Sequence, residues 1–231
     1  LQELGQKTMD AEKHAGDRIA SIEMLALDCR ELADIKYDFL FNESRRLLAI
    51  GYNVDDSRRD EGCYDLLASE ARLSSYVAIA QGRLKQEHWF SLGRMLTTAG
   101  GELALLSWGG TMFEYLMPLL IMPTYENTLL NQTYRSTVKR QIEYGQQRSV
   151  PWGVSESGYN IIDANQIYQY RAFGVPGLGF KRGLAKDLVI APYASALALM
   201  VSPAEGCINL QRMAGEGYLG EYGFYEAIDY T

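Results

Sequence analysis

Pro151-Trp152-Gly153-Val154-Ser155-Glu156-Ser157-Gly158-Tyr159 is a stretch that separates two segments of helical pattern. A helix interior rarely accepts one Pro and two Gly so close together, because Pro lacks a backbone donor and each Gly costs about 1 kcal/mol relative to Ala. We therefore predict a shaped loop here. Its side chains are those that a sugar site uses: flat rings for pyranose faces, hydroxyls, and an acid for the glycosidic bond. Glu156 is the first candidate for a catalytic residue.

The composition is that of an ordinary globular protein with room for a sizeable core. The chain has 231 residues, of which 47% are hydrophobic and 22% charged. A formal charge of −7 leaves no basic excess, which argues against binding to a nucleic-acid backbone. A neutral polar partner such as a glycan is compatible with that charge. The sixteen Tyr against seven Phe favour aromatic rings with a polar tip, as a wet aromatic cleft requires.

Neither a membrane span nor a metal site is predicted in this chain. The most apolar region, Leu103 to Met122, is interrupted by Ser, Gly, Glu and Pro. The first eighteen residues carry charges throughout, so they do not read as a signal peptide. His88 has no second His or Cys at ligand spacing. Three scattered cysteines favour reduced thiols in a cytoplasmic setting and leave a periplasmic one open.

Helical periodicity dominates the rest of the chain and predicts seven or eight helices with little strand. Apolar residues recur at spacings of three and four in the segments 1–39, 64–81, 86–95, 125–147, 184–200 and 203–214. The acids and aromatics stand out in the connections. This arrangement predicts an all-α fold, a toroid whose alternate helices line a core and whose loops at one end form a cleft.

A second stretch of functional appearance is Trp108-Gly109-Gly110-Thr111-Met112-Phe113-Glu114-Tyr115. It again combines a Trp and an acid with glycines, which let the backbone approach a ligand closely or form a turn. The spacing is not that of a dinucleotide fingerprint, and no strand is predicted before it. No cofactor is predicted.

Five ordered blocks, at 64–72, 109–118, 151–157, 168–176 and 222–231, together resemble the glycoamylase-like domain of cyclic β-1,2-glucan synthases. The resemblance covers roughly Asp34 to Thr231. It implies an (α/α)6 barrel, incomplete here at its C-terminal end. The helical pattern before it predicts a separate N-terminal helical segment at 1–33. It also implies a retaining transglycosylase that closes linear β-1,2-glucan into a ring. The family's domain belongs to a large inner-membrane synthase with glycosyltransferase and phosphorylase-like domains, so this part is expected on the cytoplasmic side, soluble by itself.

Glu156 and Glu226 are the predicted catalytic pair, because both follow loops with aromatics and glycine and both lie in the blocks that carry the resemblance. The residues do not show which is the acid and which the nucleophile; the drier one should have the raised pKa. Glu114 and Asp229 are the substitutes. The predicted substrate-binding residues are Asp65, Glu70, Trp108, Glu114, Tyr115, Trp152, Tyr159, Tyr168, Tyr170 and Asp229. By pattern alone, a loop acid is more often a helix cap or a partner of a neighbour such as Arg171, and these aromatics equally suit core packing.

Three functional hypotheses follow. The first is a transglycosylase or an endo-β-1,2-glucanase that uses paired carboxylates. The second is a glucan-binding module in which no two acids converge. The third is a helical scaffold within a larger assembly.

Overall fold

The computed structural model describes residues 2–231. It divides into two compact units, of which one ends at Phe39 and the other comprises Leu40–Thr231. The first unit is formed largely by a helix of 31 residues, α1, in which none of the described residues is buried. This helix ends at Leu32.

The described residues form seven α-helices: α1 (Gln2–Leu32), α2 (Ser69–Ala80), α3 (Glu87–Ser91), α4 (Met112–Leu116), α5 (Leu129–Arg148), α6 (Pro192–Ala198) and α7 (Pro203–Gly215). A 3-10 turn, Met117–Leu120, follows α4. The strands are β1 (Phe41–Asn42), β2 (Leu47–Leu48), β3 (Tyr52–Asn53), β4 (Arg58–Arg59), β5 (Leu96–Ala99), β6 (Glu102–Leu105), β7 (Glu156–Ile162), β8 (Tyr168–Ala172), β9 (Val189–Ile190), β10 (Leu219–Gly220), β11 (Gly223–Phe224) and β12 (Ile228–Asp229).

The predicted all-α (α/α)6 toroid is wrong for this chain, because 42% of the residues are helical and 18% lie in short antiparallel strand pairs. Each sheet has two strands, and all of them pair neighbours in the chain except β9, which pairs with β12. Most strands have two residues. So short a strand cannot show the alternation by which strands are recognised in a sequence.

The hairpin of β5 and β6 shows how a turn between two strands was not recognised in the sequence. Gly100 and Gly101 join the two strands, and both have positive φ, 57° and 80°. A two-residue turn of this kind matches the twist of paired strands, and glycine adopts it without a steric penalty. From the sequence alone, the two glycines were interpreted as an interruption between helices.

Two predicted helices begin later than expected. The carboxylate of Asp65 accepts hydrogen bonds from the backbone N–H groups of Leu67 and Ala68, at 2.7 and 3.1 Å, and this turn delays α2 to Ser69. The segment predicted as a helix from residue 184 first forms β9, and α6 begins only at Pro192. Pro is well suited to the first helical position, since no intrahelical bond is lost there.

The core of the second unit is continuous and lies between α2, α4, α5, α6 and the hairpins. Its fully buried apolar side chains include Leu105, Met112, Leu116, Leu178 and Ile190. Burial of such a side chain contributes about 1.5–3 kcal/mol. The stretch 151–155 lies within this core, directly before β7, so the packed interior fixes the point at which β7 emerges.

Candidate active site

Glu156 is the first residue of β7 and lies half-buried at the edge of the core. Gly158 stands opposite Tyr170 in the β7–β8 pair, so Tyr170 and Glu156 are diagonal neighbours on one face. The Tyr170 hydroxyl donates to Glu156 Oε2 at 3.0 Å, and the Thr111 hydroxyl donates to Oε1 at 3.4 Å. The carboxyl group is therefore held from both sides.

The backbone before Glu156 is fixed by two buried amide side chains. Gln141 of α5 accepts from Val154 N at 2.9 Å and donates to Val154 O at 2.8 Å. Asn209 of α7 makes the equivalent pair with Trp152, at 3.1 and 2.7 Å. Each amide thus binds both the N–H and the C=O group of one buried residue, as a neighbouring strand would.

The environment of Glu156 favours its protonated form. Burial is the largest cause that raises its pKa, and the negative charges of Glu114 and Glu70 add to it. The hydrogen bonds from Tyr170 and Thr111 act in the opposite direction but do not cancel the rise. A carboxylic acid that keeps its proton to higher pH is suited to general acid catalysis.

Glu226 is solvent-exposed and is attached to the same strand. Its Oε1 accepts a hydrogen bond from Gly158 N at 2.8 Å, and no described residue donates to Oε2. A Cβ added at Gly158 would lie 3.2 Å from Oε1, so the missing side chain leaves the space that Glu226 occupies. Burial raises the pKa of Tyr170 to about 12, and both Glu156 and Glu226 contribute to that rise. Both carboxylates therefore lie within electrostatic range of one phenol.

Glu70 is a third acid in this region. It is exposed at the first turn of α2 and accepts from the Ser69 hydroxyl at 2.6 Å. Its charge raises the pKa of both Glu156 and Tyr170, so it lies within electrostatic range of both. Asp65, by contrast, is engaged by the turn that precedes α2.

Glu114 has an internal structural role. It completes a capping box with Thr111 at the start of α4. Its carboxylate also accepts from Gly109 N at 2.8 Å and from the Ser107 hydroxyl at 2.9 Å. These donors occupy the carboxylate, so Glu114 shapes the loop beside Glu156 and supplies negative charge to it.

The predicted aromatic residues fall into two groups. Tyr115 and Trp152 are buried; the Tyr115 hydroxyl donates to two core carbonyls, those of Leu105 and Leu178. Tyr159 is half-buried and packs edge-on against Phe173, with the ring centroids 5.2 Å apart. The exposed rings are Trp108, Tyr168 and Tyr170, at 66%, 66% and 65%.

Sequence reasoning did not identify Tyr193, Tyr218 and Tyr225. The Tyr193 hydroxyl shares a hydrogen bond with Ser155 at 2.7 Å and donates to the backbone carbonyl of Glu156 at 2.8 Å. Tyr218 and Tyr225 line a cavity that also contains Glu226. The run of Tyr and Gly at 217–225 was the signal that could have drawn attention to the last two.

Arg171 does not pair with the candidate acids. It forms an ion pair with Asp187 at 2.9 Å. Among residues 2–231, no three His, Cys, Asp or Glu side chains are grouped so that they could hold a metal ion. Within the same range, no helix combines the length and the apolar character that a membrane crossing requires.

Comparison with known proteins gives a consistent result. Residues 64–231 match the Glycoamylase family model, described as "Putative glucoamylase". The cyclic beta-(1,2)-glucan synthase NdvB of Rhizobium meliloti (strain 1021) is 51% identical over 203 residues, which are 87% of this chain and 7% of that protein. The chain thus spans a small part of the relative's length.

Solved structures of two endo-β-1,2-glucanases share the fold. The enzyme from Chitinophaga pinensis, in complex with sophorotriose and glucose, gives a TM-score of 0.67 at 16% identity, covering 90% of this chain and 54% of that one. The enzyme from Talaromyces funiculosus, in complex with sophorose, gives 0.64 at 15% identity, covering 84% and 44%. At this identity the similarity concerns the fold, and this chain corresponds to about half of each enzyme.

Proposed function

Because the chain belongs to the Glycoamylase family, we propose that it processes β-1,2-glucan through paired carboxylates, as part of a larger protein. The single observation that supports this best is the half-buried Glu156, whose pKa burial raises, on the strand whose Gly158 N–H group holds the exposed carboxylate of Glu226. The relative that is 51% identical is a cyclic β-1,2-glucan synthase, which supports linear β-1,2-glucan as the substrate and its cyclic form as the product.

In the proposed mechanism Glu156 is the acid and Glu226 the nucleophile. Glu156 transfers its proton to the glycosidic oxygen as the bond to the anomeric carbon breaks, and Glu226 Oε2 forms a covalent bond to that carbon. The departing part of the glucan leaves with the proton. A 2-hydroxyl of the glucan part that is bound to Glu226 then attacks the anomeric carbon and gives its proton to Glu156. The bond between that carbon and Glu226 breaks, which closes the ring. Two displacements retain the configuration, and they need carboxyl groups about 5–5.5 Å apart.

The hydrogen bonds of the two acids suit these roles. Gly158 N holds Oε1 of Glu226 and leaves Oε2 open for attack. Tyr170 and Thr111 orient the Glu156 carboxyl group. An endo-β-1,2-glucanase-type hydrolase is the second candidate, favoured by the fold shared with two such enzymes; there water replaces the sugar hydroxyl. We place the chain on the cytoplasmic side of the inner membrane, with the other domains of a synthase as partners.

The test is to incubate the purified protein with linear β-1,2-glucan and to measure products that resist an exo-acting β-glucosidase. We expect Glu156→Gln and Glu226→Gln each to reduce their formation by about 100-fold or more, since each removes a group that acts in the transition state. Glu221→Gln, an exposed acid in the same C-terminal segment, is the matched control and should behave as wild type.

Glu70→Gln belongs in the same series, because the charge of Glu70 also acts on Glu156. A loss as large as that of Glu156→Gln, with Glu226→Gln active, would transfer the second catalytic role to Glu70. Full activity in both Glu156→Gln and Glu226→Gln would contradict the site. New reducing ends without resistant products would indicate hydrolysis, and glucan binding without any product would indicate a binding module.

A further inference from the structure

Tyr193, the second residue of α6, is a half-buried side chain to which the proposed mechanism gives no role. Its hydroxyl contacts Ser155 Oγ at 2.7 Å and the backbone carbonyl of Glu156 at 2.8 Å. Ser155 Oγ also accepts from the backbone N–H group of Phe113, in α4, at 3.0 Å. Two hydroxyl groups therefore connect α4, α6 and the first residue of β7.

The direction of these hydrogen bonds follows from the number of protons. A carbonyl oxygen only accepts, so the one hydroxyl proton of Tyr193 goes to the backbone of Glu156. The proton between Tyr193 and Ser155 then comes from Ser155, whose oxygen accepts from Phe113 N. Every group thus donates to the next, from α4 to Glu156, in what we call the hydrogen-bond chain. Bonds aligned in this way strengthen one another.

The backbone in front of this tyrosine is fixed on both sides. Ile190 of β9, three residues earlier, is fully buried and pairs with Val154 on one side and with Ile228 on the other. Val154 lies two residues before Glu156, and Ile228 lies two residues after Glu226. The tyrosine therefore follows directly from the strand that joins the segments of both candidate acids.

The carboxyl group of Glu156 depends on the spacing of α4 and β7 through Thr111, the residue before α4. The Thr111 hydroxyl reaches Glu156 Oε1 at 3.4 Å, close to the limit beyond which a contact is no longer a hydrogen bond. The bonds of the hydrogen-bond chain are shorter, at 2.7, 2.8 and 3.0 Å. A small separation of α4 from β7 therefore breaks the bond from Thr111 first.

We propose that Tyr193 is a positioning residue for the acid: with Ser155 it holds β7 at the distance from α4 at which Thr111 reaches the carboxyl group of Glu156. The inference rests on the proposed function, because it takes Glu156 as the general acid. Tyr193 transfers no proton itself, since burial raises the pKa of its hydroxyl above the ordinary value. Its effect is on the place and direction in which Glu156 presents its proton.

The change expected at Glu156 follows from the groups around it. Burial is the largest cause that raises its pKa, and nearby negative charges add to it, whereas the bond from Thr111 lowers it. Tyr193→Phe leaves every charge unchanged but releases β7 from the hydrogen-bond chain, so the pKa of Glu156 should rise. The titratable groups that face this region are Glu70 of α2, Glu114 of α4, Tyr170 of β8, Tyr193 of α6 and Glu226 before β12.

The test compares Tyr193→Phe with Tyr144→Phe, the matched control. Tyr144 is buried, and its hydroxyl bonds to Arg148 of the same helix at 3.3 Å. The pKa of Glu156 is measured by carbon-13 NMR of the carboxyl groups, with its signal assigned from Glu156→Gln. Turnover of linear β-1,2-glucan is measured against pH.

In Tyr193→Phe we expect a higher pKa of Glu156 and an alkaline limb at higher pH. We expect kcat to fall about tenfold or more with KM unchanged, since a misplacement of about 1 Å can cost about 100-fold in rate. Tyr144→Phe should keep the wild-type pKa, pH profile and kcat. A lower melting temperature in Tyr193→Phe with an unchanged pKa and kcat would mean that the tyrosine only stabilises the fold, and would overturn the proposal.

Ser155→Ala interrupts the hydrogen-bond chain at its middle member and also provides the test should Tyr193→Phe not fold. It should change the pKa of Glu156 and kcat in the same directions. The double variant should lose no more kcat than the stronger single variant, because groups that act as one unit are not additive. A loss equal to the product of the two single losses would contradict the hydrogen-bond chain.

The NMR measurement does not depend on catalysis, so it separates this inference from the function on which it rests. A pKa of Glu156 and a kcat equal to those of Tyr144→Phe, in a protein that forms product, would overturn the role of Tyr193 and leave the function intact. A raised pKa of Glu156 in Tyr193→Phe, when even the wild type forms no product, would overturn the function and leave the role of Tyr193 in placing Glu156.

Discussion

The hydrogen bond from Tyr170 to Glu156 affects the pKa of Glu156, and therefore the proposed acid catalysis. The Tyr170 hydroxyl donates to Glu156 Oε2 at 3.0 Å, and this bond lowers the pKa of a carboxyl group that burial raises. Tyr170→Phe removes the donor and keeps the ring. The pKa of Glu156 should then rise further. Because a general acid works only while protonated, activity is lost as pH increases through that pKa, and the alkaline limb of the pH profile should move to higher pH.

The measurement is kcat/KM against pH for wild type, Tyr170→Phe and Tyr168→Phe. Tyr168 belongs to the same strand and is equally exposed, but its hydroxyl does not contact Glu156. Its variant should keep the alkaline limb where the wild type has it. An unchanged limb in Tyr170→Phe, or a shift to lower pH, would show that Glu156 is not the titrating acid.

At the scale of single residues, the sequence drew attention to Glu156 and Glu226 as candidates but not to the residues that surround them. Glu156 and Glu226 stand out because acids among Gly and aromatics are recognisable locally. Tyr193 is not, since its contact with Ser155 spans 38 positions and nothing near it in the chain indicates a partner. Tyr115 and Trp152 were predicted as binding residues on the same local pattern, and the structure buries both. The local pattern of an aromatic residue beside a glycine is the same whether the ring lines a cleft or packs in a core.

Two helices hold the strand that carries Glu156, and they do so through amides. Gln141 is fully buried, and its side chain satisfies both the N–H and the C=O of Val154. Gln141→Leu keeps most of the volume but leaves the N–H group of Val154 buried without a partner. We expect a loss of about 1–3 kcal/mol in the free energy of unfolding. Activity should fall as well, because the register of Glu156 follows from Val154.

Urea denaturation measures this loss. Gln146→Leu is the control: it makes the same substitution five residues further along α5, at an exposed position, and should change the free energy of unfolding by less than about 0.5 kcal/mol. Equal midpoints for the two variants would mean that the amide of Gln141 does not stabilise the loop.

The long helices were predicted from the sequence, whereas the short strands were not. The helix predicted at 125–147 is observed as Leu129–Arg148, and the one predicted at 203–214 as Pro203–Gly215. Twenty and thirteen residues give several turns over which a period of 3.6 can be recognised. The paired strands are held by partners elsewhere in the chain, for example β9 by β12, some 38 positions later. No local pattern could contain that information.

At the scale of the whole molecule, the two units differ in how much apolar surface they bury. The unit Leu40–Thr231 encloses a continuous apolar core, and its fold resembles that of glucanases at only 16% identity. The fold is therefore shared where most of the sequence is not. Helix α1 has no buried described residue along a length of about 46 Å. Its apolar side chains, such as Ile19, Ile22 and Leu25, are all more than half exposed.

This contrast predicts that a chain beginning at Asp34 folds by itself. Removal of the preceding residues takes away no described buried side chain of α1, so the hydrophobic contribution to stability should be unchanged. The melting temperature should stay within about 2 °C of the full chain, the scale of surface changes. The far-UV helical signal should fall by the share that α1 contributes. A large drop in melting temperature, or loss of the cooperative transition, would contradict this prediction. It would mean that the unit Leu40–Thr231 needs α1 for its stability, although none of the described residues of α1 is buried.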